Sequence, residues 1–386
     1  MHNIKELEQK ILSIVQNAKK SATEQFDNDE KFMREALRIA ANARGRTSPN
    51  PLVGAVIVKD GRIIAEGWHR ASGTPHAEIH ALNMAGELAK GATMYVTLEP
   101  CSHYGKTPPC ANAIVEAGIK KVVAAMYDPN PKVSGNGIKI LRNANIECEV
   151  GILEGEARHL NEVFLKWIII HRPFVALKTA MSLDGKIATS TGQSQWITGE
   201  ESRQKVHELR DMYDAVMVGI GTVLEDNPLL TARISGGRNP IRIIVDSNAR
   251  TPIMSNVVTN HQSKTIIAVT KNAPSERVEA LLNLGVEIIF AGDGERVDLN
   301  ILMSELANRE ITSVFVEGGG TLNFSLIESG LVDKIYAFIA PKIIGGRNAL
   351  TSIEGTGFDN LKNAVTLKDI TTEMIDNDIL ITGYIN

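Results

Sequence analysis

The spacing of apolar and polar positions predicts two successive α/β regions in the chain. Residues 30–43 have the apolar spacing of a helix, and Val53–Val58 and Ile63–Trp68 are β-prone runs. Asp60-Gly61 between these runs is typical of a tight hairpin turn. Helical and β patterns then alternate, which predicts a sheet with helices on both faces. Helices are predicted at 76–89, 110–117 and 137–144, and strands at 93–98, 121–126 and 146–150.

A helical pattern over residues 154–170 ends at His171-Arg172-Pro173, because proline disfavours helix in the residue before it. We place the domain boundary there, with one α/β domain over 30–171 and a second over 172–386. Residues 1–29 are polar and charged with helical spacing, and we interpret them as an extension helix. In the second domain, strands are predicted at 174–180, 215–218, 241–245, 265–269, 287–290, 313–316 and 334–340.

Composition and charge restrict the function classes. A length of 386 residues suits two domains, and the net charge of −4 lacks the basic footprint of a nucleic-acid-binding protein. No apolar run approaches the roughly 20 residues that span a bilayer, and the N-terminus lacks a secretory apolar segment. Three cysteines are too few for a disulfide framework and suit a reducing compartment. We therefore expect a cytoplasmic protein with a small-molecule substrate and without nucleic-acid or membrane partners.

Four residues of the first domain form a pattern that predicts a catalytic zinc. His76, Cys101 and Cys110 are of the types that zinc prefers, and three protein ligands leave a fourth position for water. Zinc lowers the pKa of bound water toward about 7, and Glu78 can move the proton of that water to a departing amine. This set matches the signature of zinc deaminases, H-x-E with P-C-x-x-C. A structural zinc, or two unrelated buried cysteines, is the alternative; Cys148 is expected to be a small buried hydrophobe.

The spacing differs from that signature in one respect, because eight residues rather than two separate Cys101 from Cys110. The longer insertion forms a loop that can contact the substrate. His103 and Lys106 lie in this loop, and basic side chains beside the metal suit a substrate that carries a phosphate.

Longer motifs occur in order along both halves of the chain. They are Thr47–Gly54, His76–Glu78, Thr97–His103, Thr107–Cys110, Asp128–Pro131, Lys178–Gly185 and Ser194–Gly199. Together they resemble the bifunctional riboflavin biosynthesis deaminase-reductase family over residues 30–386. The resemblance implies an α/β fold with a cytidine-deaminase-like three-layer αβα domain, followed by a dihydrofolate-reductase-like α/β domain.

The resemblance also implies two consecutive reactions. The first is hydrolytic removal of the 2-amino group of a diaminopyrimidinone that carries a ribosylamino 5′-phosphate, at one Zn²⁺ per chain. In the second, NADPH reduces C1′ of the sugar, in its open-chain imine form, to give the ribityl side chain. We expect a homo-oligomer.

For the first reaction, the resemblance assigns substrate binding to Asn50, His103, Lys106 and Asp128. Without the resemblance, Asn50 and Asp128 are equally well interpreted as turn residues, since one lies between prolines and the other begins a turn.

Two glycine-containing stretches in the second domain are candidates for a cofactor site. They are Gly219–Thr222, after one strand, and Glu317–Thr321, between a strand and a helix. Glycine lets the backbone approach a phosphate, and N–H groups at a helix start can bind a pyrophosphate. Neither stretch fits G-x-G-x-x-G, and tight turns explain such glycines equally well. The resemblance implies NADPH contacts from Ala180, Trp196, Thr222, Asp226, Ser247, Gly319, Gly320, Thr321, Leu322, Asn323, Phe324 and Ser325.

The resemblance places Lys178 at the reactive end of the second site. Lys178 lies in an apolar strand, where its charge needs a partner, so an ion pair with an acid such as Asp184 is the alternative to a catalytic role. Two arginines suit a sugar phosphate because arginine binds phosphate as a rigid fork, although both also fit a solvated surface. The implied contacts of the sugar phosphate are Ser194, Arg210, Leu230, Arg233 and Glu317.

Two other functions remain open from the residues alone. A nucleic-acid deaminase, such as a tRNA deaminase fused to an unrelated domain, would need a basic surface. A non-catalytic zinc or nucleotide sensor would not need Glu78 and Lys178. A bifunctional enzyme agrees best with the charge and with these two residues.

Overall fold

The computed structural model describes residues 28–102, 109–130 and 134–385. The backbone divides into two units between Ile169 and Ile170, and both are α/β structures, as the alternating pattern predicts. The domain limits 30–171 and 172–386 remain a proposal, and most of the predicted extension helix, residues 1–27, lies outside the described residues. None of the described helices is both long and apolar enough to cross a bilayer.

Helices and strands alternate along the first unit. The helices are α1 (28–40), α2 (Ala77–Ala85), α3 (Cys110–Glu116), α4 (Asn136–Asn143), α5 (Glu154–Leu160) and α6 (Glu162–Ile170). The strands are β1 (Gly54–Lys59), β2 (Arg62–Trp68), β3 (Thr93–Val96), β4 (Lys121–Ala124) and β5 (Glu147–Val150). They form one sheet in the order β2-β1-β3-β4-β5, antiparallel from β2 to β3 and parallel from β3 to β5.

The predicted hairpin of β1 and β2 is confirmed. Asp60 and Gly61 have φ angles of 50° and 73°, and two successive positive φ angles are what a tight type I′ turn requires. At the start of β1, a Cβ atom on Gly54 would lie 2.0 Å from the carbonyl oxygen of Ala36. Glycine is therefore needed for α1 to pack directly on β1.

The prediction of one continuous helix over 154–170 is wrong at Asn161. The backbone there leaves the helical conformation, at φ −104° and ψ 21°, and separates α5 from α6. The buried Asn161 side chain accepts the N–H of Leu52 at 2.8 Å and donates to the carbonyl of Leu52 at 3.0 Å. The Asn161 amide therefore bonds both the N–H and the C=O of Leu52, as the backbone of a neighbouring strand would. These bonds interrupt the helix and connect it to the loop that carries Asn50.

The second unit has a nine-stranded sheet. Its strands are β6 (Phe174–Ser182), β7 (Ala215–Gly219), β8 (Ile241–Val245), β9 (Thr265–Val269), β10 (Glu287–Phe290), β11 (Ser313–Val316), β12 (Lys334–Ala340), β13 (Leu367–Ile375) and β14 (Asp378–Ile385). Its helices are α7 (Glu200–Met212), α8 (Ile220–Asp226), α9 (Asn256–Thr259), α10 (Ser275–Leu282), α11 (Leu299–Asn308) and α12 (Gly320–Glu328). The order is β10-β9-β8-β7-β11-β6-β12-β14-β13, parallel from β10 to β12.

The sequence analysis did not predict the antiparallel hairpin that β13 and β14 form. Its register shifts between Lys368 and Thr371, and such a bulge breaks the period-two alternation by which a strand is identified in a sequence. β13 is also exposed along most of its length. The seven predicted strands of this unit are confirmed within a few residues.

The parallel strands place Lys178 and Glu317 next to each other, because Val316 on β11 pairs with Leu177 on β6. β7, β11 and β6 are neighbours, and ligands of such sheets bind outside the carboxyl ends of the strands. Glu317 directly follows β11, and its N–H donates to the carbonyl of Met217 on β7 at 2.9 Å. Lys178 lies on β6.

Candidate active sites

The three predicted metal ligands converge in the first unit. His76 is the N-cap residue of α2, Cys101 follows the loop after β3, and Cys110 is the first residue of α3. Nδ1 of His76 lies 3.6 Å from Sγ of Cys101 and 3.3 Å from Sγ of Cys110, and the three ligand atoms lie within 4.8 Å of one another. One ion can therefore contact all three side chains.

The electrostatics of the two sulfurs suit a zinc ion. The backbone N–H of Cys110 donates to Sγ of Cys101 at 3.2 Å. A hydrogen bond from the Cys110 thiol, and then one from His76, lower the pKa of Cys101 to about 4, whereas the bond to Cys101 and burial raise the pKa of Cys110. The lowered pKa of Cys101 favours its thiolate, which is the form that binds a metal ion. Two sulfurs and an imidazole nitrogen are the donors that zinc prefers.

Glu78 lies in the first turn of α2, two residues after the ligand His76. It is buried, with 3% of its surface exposed. Burial, and then the negative charge of Cys101, raise the pKa of Glu78 to about 7. A carboxyl group with such a pKa can accept and release a proton near neutral pH.

Asn50 is held by His69, a buried residue that the sequence analysis missed. Nδ1 of His69 lies 3.2 Å from the carbonyl oxygen of Pro75, and Nε2 lies 3.2 Å from Nδ2 of Asn50. A carbonyl only accepts, so Nδ1 carries the proton and Nε2 of the neutral ring accepts from the Asn50 amide. Burial lowers the pKa of His69, which favours that neutral ring. Oδ1 of Asn50 is then the acceptor that the amide can present to a ligand.

Of the remaining predicted residues of this site, Asp128 lies in the described part of the chain. Oδ1 of Asp128 accepts the N–H of Asn130 at 2.8 Å, which is the local bond of a turn residue. The N–H of Asp128 donates to the buried carboxylate of Glu99 at 3.1 Å. His103 and Lys106 lie outside the described residues.

In the second unit, Lys178 and Arg210 share the carboxylate of Glu317. Nε and Nη2 of Arg210 donate to Glu317 at 2.5 and 3.0 Å, and Nζ of Lys178 lies 3.8 Å from Oε2 of Glu317. The Glu317 and Arg210 side chains are 8% and 11% exposed, and that of Lys178 is 18% exposed. Three residues predicted to contact substrate or cofactor therefore form one buried charge cluster.

The suggestion that Asp184 neutralises Lys178 is wrong. The carboxylate of Asp184 accepts from the hydroxyl of Ser182 at 2.6 Å and from the N–H groups of Ile344 and Gly345 at 3.0 and 2.6 Å. Asp184 is close to Lys178 in sequence, but Lys178 pairs with Glu317, which follows the neighbouring strand β11.

Desolvation and charge oppose each other in this cluster. Burial lowers the pKa of Lys178 although Glu317 opposes the shift. Burial alone would raise the pKa of Glu317, but Arg210 and Lys178 outweigh it and hold that pKa below its ordinary value. Glu317 therefore stays ionised.

Arg233 is held at the surface by His207, a second residue that the sequence analysis missed. Nη2 of Arg233 lies 3.2 Å from Nε2 of His207. Burial, and then the charges of Arg210 and Arg233, lower the pKa of His207 to about 4, so that the ring is neutral and can accept from the guanidinium. Leu230, another predicted contact, is buried with φ 54°.

The two glycines at the start of α12, Gly319 and Gly320, have different roles. A Cβ on Gly320 would lie 2.4 Å from Cγ of Glu354, so this glycine is required by packing, whereas a Cβ on Gly319 would have no atom within 4 Å. Nδ2 of Asn323 donates to the carbonyl of Ser352 at 2.9 Å, and its buried Oδ1 has no partner in the described residues. Phe324 is buried against Phe358. The open backbone at Gly319 fits a phosphate better than these two side chains do.

The other predicted contacts of the second site are spread over several loops and elements. Trp196 is 62% exposed, and the guanidinium of Arg203 lies 4.7 Å from the centre of its ring. The carbonyl of Trp196 accepts a hydrogen bond from Nζ of Lys342 at 2.9 Å. The hydroxyl of Ser247 accepts the N–H of Val297 at 3.1 Å. The remaining residues are Ser194 before α7, Ala180 on β6, Thr222 and Asp226 on α8, and Thr321, Leu322 and Ser325 on α12.

Comparisons with known proteins identify both units. The pattern of the RibD C-terminal domain matches residues 173–381, and that of the cytidine and deoxycytidylate deaminase zinc-binding region matches residues 26–126. The riboflavin biosynthesis protein RibD of Actinobacillus pleuropneumoniae is 46% identical, over 92% of this chain and 94% of the relative. RibD of Aquifex aeolicus is 44% identical, over 92% and 97% of the two chains.

Solved structures agree with these matches over almost the whole chain. RibD of Acinetobacter baumannii superposes with a TM-score of 0.84 at 38% identity, covering 94% of this chain and 99% of the other. A diaminohydroxyphosphoribosylaminopyrimidine deaminase/5-amino-6-(5-phosphoribosylamino)uracil reductase of Thermotoga maritima superposes with a TM-score of 0.84 at 40% identity, covering 94% and 100%.

Proposed function

The chain belongs to the RibD family of riboflavin biosynthesis proteins, and on this premise we propose how its two sites carry out deamination and reduction. It is a bifunctional enzyme with a zinc-dependent cytidine-deaminase-like unit and an NADPH-dependent, dihydrofolate-reductase-like unit. Its substrate is a small molecule of the riboflavin pathway, for which we propose the diaminopyrimidinone ribosyl phosphate. The convergence of His76, Cys101 and Cys110 beside Glu78 is the observation that carries the proposal.

In the first unit, we propose that Glu78 moves the protons of the hydrolysis. Zinc bound by the three ligands supplies a Lewis acid that makes water acidic enough to attack at neutral pH. The Glu78 carboxylate takes up the two protons of the attacking water in turn and delivers one to the ring nitrogen and the other to the amino nitrogen. The amino group then leaves as ammonia with the electrons of its C–N bond, and the ring carbon keeps the oxygen as a carbonyl. The Glu78 pKa of about 7 suits both uptake and delivery.

Substrate binding in this unit is assigned to four residues. Oδ1 of Asn50, oriented by His69, is suited to accept an N–H of the pyrimidine. Asp128 lies in the turn that Glu99 holds and can accept a second donor. His103 and Lys106 are the proposed phosphate contacts.

In the second unit, we propose that the buried cluster positions the sugar against the cofactor. NADPH supplies a hydride to the sugar carbon. Lys178 offers its ammonium group at the reactive end, and Glu317, kept ionised by Arg210, accepts a sugar hydroxyl. Arg233 is the more exposed of the two arginines and is suited to the phosphate, with Ser194 and Leu230 beside it in the proposed site.

The proposed NADPH site lies at α12 and α8. The open backbone at Gly319 and the first turn of α12 suit the pyrophosphate, and Thr222, Asp226, Trp196, Ala180 and Ser247 are the other proposed contacts from outside the 319–325 segment. Ser247 is the proposed neighbour of the extra phosphate of NADP.

We also propose a homo-oligomer in the cytoplasm. β13 is an outer strand of its sheet, and Ile370 and Met374 on it are 56% and 64% exposed. An outer strand with exposed apolar side chains can pair with a second copy. Light scattering should give a multimer that Met374→Lys weakens, and a monomeric wild type would contradict this. The absence of a disulfide among the three cysteines supports the location, which fractionation tests.

The whole proposal is tested by supplying the diaminopyrimidinone ribosyl phosphate to the purified enzyme. Ammonia should be released without NADPH, and NADPH should be oxidised when it is added. A Glu78→Gln variant should lose the first signal, yet oxidise NADPH when it receives the deaminated substrate. A wild type that releases no ammonia from this compound would overturn the assignment, as would equal release from an RNA substrate.

A further inference from the structure

Glu99 is a buried carboxylate beside the metal site that none of the proposed catalytic steps uses. It is 4% exposed and stands two residues before the ligand Cys101. Its side chain is turned to the backbone of another segment rather than to a cation. In the described part of the chain, no lysine or arginine forms an ion pair with it.

Four backbone N–H groups converge on this carboxylate. Oε2 accepts from Asp128 at 3.1 Å and from Gly135 at 2.8 Å. Oε1 accepts from Gly137 at 2.9 Å and from Ile138 at 3.2 Å. Each of its two oxygens therefore accepts two backbone hydrogen bonds, so the acceptor capacity of the group is used by the main chain.

The donors belong to the turn of Asp128 and to the start of α4. The main chain adds a fifth connection, because the N–H of Glu99 donates to the carbonyl of Met126 at 3.0 Å. The contact is also sterically close. A Cβ atom on Gly137 would lie 1.9 Å from the carbonyl oxygen of Pro100, so the first turn of α4 rests directly on the residue before Cys101.

We propose that Glu99 is a positioning residue for deamination, which sets the distance between the Cys101 side of the metal site and the turn that carries Asp128. This inference rests on the proposed function, in which the pyrimidine lies between the metal and Asp128. Because Glu99 touches backbone at every contact, it acts through Asp128 and α4 and not on the substrate itself. Its loss should weaken substrate binding more than the chemical step.

The test compares Glu99→Gln with a control at another buried carboxylate of the same unit. Glutamine has the size of glutamate, but its NH₂ group cannot accept, so two of the four N–H groups lose their acceptor. Asp29→Asn is the control, because Asp29 is 2% exposed and bonds Tyr95 and Lys121 away from the turn of Asp128. KM and kcat of ammonia release, bound zinc and the rate of reduction are measured for each.

Glu99→Gln should raise the KM of deamination about tenfold and lower kcat by less, with zinc and reduction retained. Gly137→Ala should raise KM in the same direction without a change of charge, because it pushes α4 away from Pro100. Glu99→Asp keeps the charge on a shorter side chain and should give an intermediate KM. Asp29→Asn should lower the melting temperature with little effect on KM.

Three results would overturn the inference. The first is an unchanged KM in Glu99→Gln, and the second is an equal rise of KM in Asp29→Asn. The third is loss of zinc in both Glu99 variants, because Glu99 would then support the metal site or the fold. If the wild type deaminates the substrate and Glu99→Gln has the same KM and kcat as the wild type, only this inference is overturned. A wild type that does not deaminate removes the proposed function, and the inference with it.

Discussion

The two candidate sites are held together by different forces. In the first unit, two sulfurs and an imidazole nitrogen lie close enough to bind one ion. The nearby carboxylate of Glu99 accepts hydrogen bonds from backbone N–H groups. In the second, Lys178 and Arg210 depend on the single carboxylate of Glu317. The first site is therefore arranged to bind a metal ion. In the second site, the positive charges belong to side chains, and these stay buried only while the Glu317 carboxylate neutralises them.

The largest difference between the units is expected from Glu78→Gln. An amide cannot move protons, so kcat of deamination should fall about 10³-fold. Reduction of the deaminated substrate should be unchanged, because the change lies in the other unit. Removal of zinc by a chelator should have the same selectivity, and zinc should remain bound in the Glu78→Gln enzyme. Retained deamination in that variant would remove Glu78 from the mechanism.

A second comparison is Glu317→Gln, which leaves Lys178 and Arg210 buried without a counter-charge. Breaking a buried ion pair costs about 3–5 kcal/mol, so the unfolding free energy of the second unit should fall by that order and reduction should be lost. Ammonia release by the first unit should persist.

Glu305→Gln is the matched control for that change. Glu305 pairs with Arg309 on the surface and is 38% exposed, so its loss should cost less than about 1 kcal/mol. Denaturant titration followed separately for each unit measures both. Equal destabilisation by the two substitutions would show that the buried cluster has no special importance.

A smaller effect is expected where the first unit relies on a neutral hydrogen bond. His69→Leu removes the acceptor that orients the Asn50 amide, and KM of deamination should rise about tenfold. His69→Gln retains an amide oxygen that can accept from Asn50 and should recover part of that loss. The comparison fails if leucine leaves KM unchanged, or if glutamine is as damaging as leucine.

The smallest effect concerns the pH dependence of the second unit. His207 has a pKa of about 4 in the folded chain, against an ordinary value of 6.5. The unfolded chain therefore binds more protons between these values, and stability should fall as the pH decreases from about 6.5 toward 4. The partly exposed ring limits the contribution to the order of 1 kcal/mol.

His207→Gln should flatten this slope. Glu317 should not obscure it, because its pKa lies below the ordinary carboxyl value and its contribution is lost at lower pH, as the pH falls through its folded-state pKa. Melting of the second unit from pH 7 to pH 4.5 provides the measurement, and an unaltered slope in the variant would contradict the assignment.

Several features of the active sites could be predicted from local sequence. The candidate residues His76, Glu78, Cys101 and Cys110 can be recognised from their types and spacing, and the structure brings the three proposed ligands together. His69, Glu99 and His207 could not be found in this way. Each acts on a segment distant from it in sequence, and a histidine or glutamate looks the same in the sequence whether it supports a site or only the fold.

By itself, the sequence determined the alternation of helices and strands, the β1–β2 hairpin and the residues proposed as metal ligands, because these depend on short-range periodicity and on donor type. Only the tertiary structure decided that Lys178 meets Glu317 rather than Asp184, that Asn161 interrupts a helix to bind Leu52, and that Glu99 gathers four N–H groups. Hydrogen bonds and ion pairs act over a few ångströms, and the distances between such segments are set by the packing of the sheets.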